Sequence, residues 1–305
     1  MKISILGARG QIARSLISLY MERGELSNLE LYSRSPEKLI SEVKGAKVYP
    51  SEDFIHHNHE IIINCIGISN LKGIGNSGAK IFKINETWDN LILEYLKRNE
   101  KALYISMSSG AVYGKNFQSP VAKNSCLLSG MVEISPADFY AVSKLNCEAK
   151  HRSFDKFSIV DLRIFSYISN FIAFKSNFLI SEIMTAIKNK QTFVTNDLNL
   201  ARDYLHPEDM IQVIDVVIKS WQNAGFINDV FDTYSKNPVT KMDMLQSISE
   251  KFNLLYEIKM ETNVDSSATG FKMNYYSVNK KLQKLGYEPR YSSLDAILKV
   301  FGEVL

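Results

Sequence analysis

The sequence has few cysteines, no large excess of positive or negative charge and no long apolar run. Its three cysteines, Cys65, Cys126 and Cys147, are odd in number and form no CxxC pair, so neither a disulfide framework nor a zinc site is expected. The 36 basic and 33 acidic residues are interspersed, which gives no support for a nucleic-acid partner. The first apolar run, residues 3–6, is only strand-sized, and no later run reaches the length of a membrane span. We therefore expect a cytoplasmic protein that does not bind membranes.

Length and composition are those of an ordinary folded protein. The chain has 305 residues, of which 45% are hydrophobic and 23% charged, which is close to the average of globular domains and excludes the disordered and fibrous classes. A chain of this length can fold as one large domain or as two that share a cleft, because single cores stop growing near about 250–300 residues.

Short β-type runs alternate with amphipathic helical stretches in the first half of the chain. The strand-like runs lie at 2–6, 29–32, 61–66, 102–107 and 158–165, and the helical stretches at 11–22, from 36, at 81–97 and at 137–152. Such alternation predicts a parallel sheet with helices on both faces, that is, a doubly wound α/β fold of the Rossmann type.

The regular alternation loosens after about residue 166. A helix at 178–188, a short strand at 192–195 and a helix at 207–220 precede a lysine-rich polar segment. We expect residues 1–166 plus about 200–233 to form a dinucleotide-binding domain. A smaller C-terminal substrate-binding lobe is expected from about 167–199 plus 234–305.

A glycine-rich turn follows the first predicted strand. The segment 7–13 reads Gly-Ala-Arg-Gly-Gln-Ile-Ala, a G-x-x-G-x-x-A pattern. Glycine permits the tight turn and a close backbone approach to a pyrophosphate, and the following helix N-terminus adds free N–H donors and partial positive charge. A plain strand-to-helix turn is the alternative, but the strand before and the helix after favour a dinucleotide site. Its predicted residues are Gly7, Arg9, Gly10, Gln11 and Ile12.

The second predicted strand ends in Ser33 and Arg34, where NAD-preferring proteins usually carry an acidic residue for the ribose 2′-hydroxyl. These side chains would instead donate to a 2′-phosphate, in charge-assisted bonds worth about 1.5–3 kcal/mol each. Arg9 would add a second positive charge. We therefore expect NADP(H) to be preferred, with NAD as the alternative; a solvated Arg34 at a helix start is the competing interpretation.

Tyr140 and Lys144 stand four residues apart, so one helix face carries a phenol beside an ammonium. A free tyrosine keeps its proton up to about pH 10, whereas a neighbouring ammonium favours the phenolate. Tyr140 is thus predicted to exchange a proton with a substrate oxygen while hydride moves at the adjacent carbon. Upstream, the segment 104–114 contains a predicted strand that ends in hydroxyl residues, at the sheet edge where such folds bind ligands. Ser109 is therefore predicted to hydrogen-bond the same substrate oxygen. Taken alone, Tyr140 and Lys144 could be an incidental packing pair, and Ser109 could be a turn or cap serine.

In this order, the glycine turn, the serine-rich strand end and the Tyr140/Lys144 pair resemble the extended short-chain dehydrogenase/reductase family, the group of nucleotide-sugar epimerases, dehydratases and reductases. Residues 108–114, Ser-Ser-Gly-Ala-Val-Tyr-Gly, are similar to its S-S-x-x-V-Y-G signature, which implies that Ser109 is the catalytic hydroxyl residue. The segment 201–209 is similar to its R-D-[FY]-x-x-V-x-D element, which implies that Arg202 holds the diphosphate of a nucleotide-sugar.

The resemblance implies further site residues by position. The family's loop along the cofactor corresponds to Cys65, Ile66 and Gly67, and its helix asparagine corresponds to Asn85. Its segment near the nicotinamide corresponds to Phe165, and its second diphosphate contact to Asn177. Ser166 stands where the family usually has asparagine. A homodimer formed through a helical bundle is implied by the resemblance alone.

The chain departs from the family's sugar 4,6-dehydratases directly after the catalytic hydroxyl. Those enzymes carry an Asp-Glu pair there, whereas this chain has Gly110 and Ala111, so dehydration is not expected. NADPH-dependent reduction of a nucleotide-activated 4-keto-6-deoxysugar is favoured by Arg34. The alternatives are an epimerase that works through a transient ketone with tightly bound NAD(P), and a binding protein that kept the fold without the activity.

Three histidines, His56, His57 and His59, lie between two predicted strands. No further Cys or His partner accompanies them, so we expect a solvated loop and no metal site.

Overall fold

The structure is a computed structural model that describes residues 1–68, 78–174, 178–260 and 272–305. The first half of the chain forms β1 (Ile3–Leu6), α1 (Gln11–Glu22), β2 (Leu29–Ser33), α2 (Pro36–Ile40), β3 (Lys47–Pro50), β4 (Ile61–Asn64), α3 (Ala79–Leu96), β5 (Leu103–Ser109), α4 (Phe139–Arg152) and β6 (Ser158–Ile164). The second half forms β7 (Ser166–Tyr167), α5 (Leu179–Asn189), β8 (Phe193–Asn196), β9 (Ala201–Arg202), β10 (Tyr204–Leu205), α6 (Pro207–Ala224), β11 (Asn228–Asp232), β12 (Val239–Thr240), α7 (Lys241–Phe252), β13 (Tyr256–Lys259), β14 (Asn274–Tyr275) and α8 (Ser293–Val304).

Seven strands form one parallel sheet in the order β11-β6-β5-β4-β1-β2-β3. The strand order reverses between β1 and β4, and in doubly wound sheets such a switch point leaves a crevice at the carboxyl ends of the strands. The predicted Rossmann-type fold is therefore confirmed.

Neighbouring side chains of β4 belong to two different hydrophobic cores. Ile61 and Ile63 pack in a core that includes side chains of α1 and α6, whereas Ile62 packs in a second core with side chains of α3. Full burial of such a side chain stabilises the fold by about 1.5–3 kcal/mol. Because the strands are covered on both faces, their carboxyl ends are held firmly, and the candidate site lies there.

Two strands of this sheet, β3 and β11, were not predicted. Both lie at its edges, and their sequences, Lys-Val-Tyr-Pro and Asn-Asp-Val-Phe-Asp, are too polar to give a β-type run. Charged residues and proline are common on edge strands, where one side of the backbone is unpaired.

A third hydrophobic core joins α5, α7 and α8. Ile183, Leu245 and Ile297 are fully buried in it. Near this core, β9 pairs with β12 and β14, which brings residues from the end of the chain toward the sheet. The domain boundaries given above remain predictions. Across the described residues, no helix combines the length and the hydrophobicity that crossing a membrane requires.

The interpretation of the histidine stretch as a solvated loop is wrong for His59. Its ring is buried and hydrogen-bonds through both nitrogens, to Ser4 Oγ at 2.7 Å and to the Phe54 carbonyl at 2.7 Å. Burial lowers the pKa of His59, which favours the neutral ring. The described ranges contain no group of three or more His, Cys, Asp or Glu side chains that could hold a metal ion.

Candidate active site

The carboxyl ends of β4, β5 and β6 open into a cavity of about 480 Å³. Most of the predicted catalytic and cofactor-loop residues meet in its wall. They are Ile12, Cys65, Ile66, Gly67, Ser109, Tyr140, Lys144 and Phe165.

The glycine turn lies beside this cavity, between β1 and α1. Gly7 has φ +72°, and a Cβ there would lie only 3.0–3.1 Å from atoms of Cys65 and Ile66, so the turn requires glycine. Gly10 is the N-cap residue of α1 and supplies no side-chain cap, and the first turn of the helix contains no acidic residue. The buried Gln11 Nε2 has no hydrogen-bond partner in the described part of the chain. Uncapped N–H groups and an unsatisfied amide fit the phosphates of a dinucleotide.

Ser33 and Arg34 stand at the end of β2, next to the glycine turn that carries Arg9. The Ala8 N–H donates to the Tyr32 carbonyl at 3.1 Å, which ties the glycine turn to the end of β2. Arg9 and Arg34 are exposed, whereas Ser33 is buried and accepts a hydrogen bond from the Ser35 N–H at 3.1 Å. The Ser33 hydroxyl proton is left to donate, so this corner presents donors to an anion.

The loop after β4 is fixed by contacts with α3 and α4. Asn85 is buried on α3, donates through Nδ2 to Ser143 Oγ at 2.8 Å and accepts from the Ile68 N–H at 3.4 Å. A Cβ at Gly67 would lie 3.4 Å from Lys144 Nζ, which shows how closely the lysine approaches the loop. Asn85 therefore supports the cofactor loop from behind the cavity wall. Burial raises the pKa of the Cys65 thiol to about 12, so it is not a thiolate nucleophile.

Tyr140, Lys144 and Glu148 follow one another at four-residue spacing on the inner face of α4. Buried Glu148 accepts from Ser108 Oγ at 2.5 Å and from Arg163 Nη2 at 2.6 Å, which attaches α4 to β5 and β6. The Lys144 ammonium donates to the Met107 carbonyl at 2.8 Å. These bonds hold the helix in the register that places Tyr140 in the cavity wall.

Ser109 is the last residue of β5 and is buried. Its Oγ accepts from the Ala111 N–H at 3.1 Å and lies 3.5 Å from the Tyr275 hydroxyl. Tyr275, on β14, lines the cavity but was not predicted, because no local motif marks it. Burial raises the pKa of Tyr275, so its hydroxyl keeps its proton.

Gly110 is packed against an aromatic ring. A Cβ at this position would lie 2.5 Å from two ring atoms of Phe165, well inside van der Waals contact. The space that a side chain at position 110 would need is therefore occupied by the Phe165 ring.

The two predicted diphosphate contacts are not both in the cavity wall. Asn177 lies outside the described residues. Arg202 lies behind the wall, where its Nη1 donates to the carbonyls of Lys272 at 2.7 Å and Ala201 at 2.8 Å. Its guanidinium is 5.9 Å from the centre of the Tyr275 ring, and burial lowers the pKa of Arg202. Lys272, which was not predicted, lines the cavity instead.

The family model described as the NAD dependent epimerase/dehydratase family matches residues 3–228. The chain belongs to this family. The predicted resemblance to the extended short-chain dehydrogenase/reductase enzymes is thereby confirmed, and with it the prediction of an NAD(P)-dependent enzyme type. No curated protein matches the chain in sequence.

Solved structures share the fold over nearly the whole chain. The UDP-glucuronic acid 4-epimerase from Bacillus cereus, in complex with UDP-glucuronic acid and NAD, is 17% identical with a TM-score of 0.76, covering 100% of this chain and 99% of its own. The UDP-glucose-4-epimerase from Stenotrophomonas maltophila, with NAD and formylated UDP-arabinopyranose bound, is 14% identical with a TM-score of 0.80 over 99% and 97%. The dTDP-glucose 4,6-dehydratase from Bacillus anthracis str. Ames, in complex with NAD, is 16% identical with a TM-score of 0.77 over 99% and 96%.

Proposed function

We propose that this member of the epimerase/dehydratase family reduces a nucleotide-activated keto-sugar, of the 4-keto-6-deoxysugar type, with NADPH. The observation that carries the proposal is that Ser109, Tyr140 and Lys144 line one cavity beside an uncapped glycine turn. A phenol, a hydroxyl and an ammonium around one space suit proton transfer to a carbonyl oxygen.

Each residue has a separate proposed role in this reaction. When bound, NADPH supplies the hydride. Tyr140 gives its proton to the sugar oxygen, and the Ser109 hydroxyl donates a hydrogen bond that orients the carbonyl. Lys144 holds the cofactor ribose and favours loss of the Tyr140 proton.

The remaining cofactor and substrate contacts stay proposals. The diphosphate of the cofactor would lie on the glycine turn, beside Gln11, and its nicotinamide end near Phe165. Arg202 and Asn177 would serve the substrate diphosphate, although Arg202 needs a change of rotamer to reach the cavity from its present bonds to backbone carbonyls.

Water elimination is disfavoured by packing as well as by residue type. Gly110 supplies no acid or base, and the Phe165 ring occupies the volume that a side chain there would need. Hydride and proton transfer without elimination is therefore the chemistry that the cavity supports.

Epimerisation is the second candidate, since two of the similar structures are sugar 4-epimerases that hold NAD. The same three residues would remove and return the proton of a sugar hydroxyl, while bound NAD(P) would take up and return the hydride of the adjacent carbon, so that a transient ketone forms. The two candidates differ in whether cofactor is consumed.

Two incubations separate these candidates. We expect the protein with a dTDP-linked 4-keto-6-deoxysugar to consume NADPH in proportion to product, followed by absorbance. In the second incubation no cofactor is added, and the substrate is UDP-glucose, UDP-glucuronic acid or dTDP-glucose. NMR spectra should show that the sugar has not changed. An epimer formed in the second incubation would establish the epimerase instead, and no reaction in either would contradict both candidates.

The preference for NADP(H) is tested by Arg34→Ala. This change removes an exposed cation from the end of β2, so we expect the affinity for NADPH to fall roughly tenfold or more, since a charge-assisted bond to the 2′-phosphate is lost. The affinity for NADH should change little. Binding is measured by fluorescence titration, with Arg98→Ala, at an exposed arginine just after α3, as the control. Equal losses for both cofactors would contradict the preference.

A homodimer and a cytoplasmic location also remain predictions. Light scattering on a sizing column measures whether a dimer forms.

A further inference from the structure

Lys272 is a buried cation in the wall of the candidate active site. The residue is 8% exposed, and its ammonium lies 4.3 Å from the centre of the Tyr275 ring and 4.9 Å from that of Phe117. Two aromatic faces stabilise a cation partly, but they supply no negative charge.

No carboxylate of the described residues lies within ion-pair distance of this ammonium. Asp138, the acidic group whose charge acts on it, is bound to Lys115 at 2.8 Å. Burial, and then the charge of Arg202, lower the pKa of Lys272 to about 8. Among the described residues this buried charge has no counter-ion, which is costly in a folded protein, so the site is suited to an anion.

The lysine is close to the reacting end of the cavity. Tyr275, over which the ammonium lies, has its hydroxyl 3.5 Å from Ser109 Oγ. Arg202 supports the lysine from behind by donating to its carbonyl at 2.7 Å. Two cations therefore lie side by side, and one of them faces the space where the sugar would react.

We propose that Lys272 binds an anionic oxygen of the substrate. The inference rests on the proposed function, because it assumes that the cavity takes a nucleotide-sugar. The anion has two possible sources of one chemistry. It is a phosphate of the diphosphate if the sugar is the proposed 6-deoxysugar, which carries no carboxylate, or a ring carboxylate if the sugar is a uronic acid. A charge-assisted bond from a buried ammonium is strong in either case.

The test compares Lys272→Met, which removes the charge at similar length, with Lys272→Arg, which keeps it. Titration calorimetry on protein saturated with NADPH uses UDP, UDP-glucose and UDP-glucuronic acid as probes, with Lys123→Met, an exposed lysine, as the control. A phosphate contact predicts a loss of roughly tenfold or more for all three probes in Lys272→Met. A carboxylate contact predicts that loss for UDP-glucuronic acid alone. Lys272→Arg should stay within about threefold of wild type.

The outcomes separate this inference from the proposed function. If the wild type binds the probes and Lys272→Met binds all of them equally well, the role of Lys272 is wrong and the function stands. If the wild type neither binds the probes nor consumes NADPH with the dTDP-linked keto-sugar, the proposed function fails and the inference fails with it.

A pH series on the wild type provides a second measurement that does not depend on how Lys272→Met folds. The ammonium binds the anion and the neutral amine does not, so the affinity should fall as pH rises through about 8. The groups that face the lysine are Arg202, Tyr275, and Asp138 with its partner Lys115. In Lys272→Arg the fall should be absent, because arginine keeps its charge. A pH profile shared by both proteins would overturn the inference.

Discussion

Tyr140→Phe is expected to lower kcat for the keto-sugar by roughly 10²–10⁴-fold, the contribution of a positioned general acid. The phenyl ring keeps the packing of α4 but has no proton to give. Since Tyr140 reaches the cavity through a helix that is fixed by Glu148 and Lys144, the position of the ring should not change. Cofactor affinity, measured by NADPH fluorescence, should therefore stay close to that of wild type.

Two further variants make this result specific. Tyr256→Phe, in the small sheet of β8 and β13, should keep the wild-type kcat. Tyr275→Phe tests the other phenol near Ser109. If Tyr140→Phe keeps full turnover while Tyr275→Phe loses it, the proton donor has been assigned to the wrong tyrosine. If neither variant changes turnover, the cavity does not use a phenol as acid.

Asp161→Ala is expected to lower the free energy of unfolding by about 3–5 kcal/mol, the usual loss when one partner of a buried ion pair is removed. His151 lies between two carboxylates on the inner side of α4, with Nδ1 at 2.9 Å from Asp161 and Nε2 at 2.6 Å from Asp89. Arg152 also donates to Asp161, at 2.8 Å. His151, Asp161 and Asp89 are fully or almost fully buried. Without the Asp161 carboxylate, the buried His151 would lose one of its two charged partners in a place that water does not reach.

The pH dependence of stability has a defined sign at this cluster. Burial opposes the charge on His151, but Asp161 and Asp89 outweigh it and raise its pKa from 6.5 to about 9. Protonated His151 therefore stabilises the folded state. This contribution is complete below pH 6.5, the pKa of the unfolded chain's histidine, and is lost as pH rises through about 9, the pKa in the folded state. Urea unfolding of the wild type should show this decline, and Asp161→Ala should flatten it.

The matched control is Asp215→Asn, which removes a half-exposed ion pair with Arg23 at 2.9 Å. Exposed pairs contribute about 0–1 kcal/mol, so its unfolding curve should lie near that of the wild type. Comparable losses in the two variants would mean that the buried cluster has no special share in stability.

The parts of the site that could be predicted are those in which a short segment defines both the structure and the chemistry. The glycine turn needs only its own residues and a neighbouring strand, and Tyr140 and Lys144 share a face because of helix geometry alone. Ser109 was predicted from the end of a buried strand. Their place in one cavity follows from parallel strands that end at one edge of the sheet.

The parts that could not be predicted depend on contacts between segments that are far apart in the sequence. Lys272 and Tyr275 reach the cavity through the pairing of β14 with β9, and no periodicity near them indicates that contact. Arg202 was predicted from a motif, which gives a position but not a rotamer, and its side chain donates to backbone carbonyls. His59 looked like a loop residue because its partners, Ser4 and the Phe54 carbonyl, become neighbours only in the folded chain.

The ring of Phe165 also limits the order in which mutations can remodel this pocket. Since a Cβ at Gly110 would lie 2.5 Å from two of its atoms, a side chain introduced there requires the ring to move. A smaller residue at position 165 would make that room, and such an intermediate would have a wider chamber without yet having a new acid. An acid at position 110 is therefore more easily accommodated after Phe165 has been replaced than before.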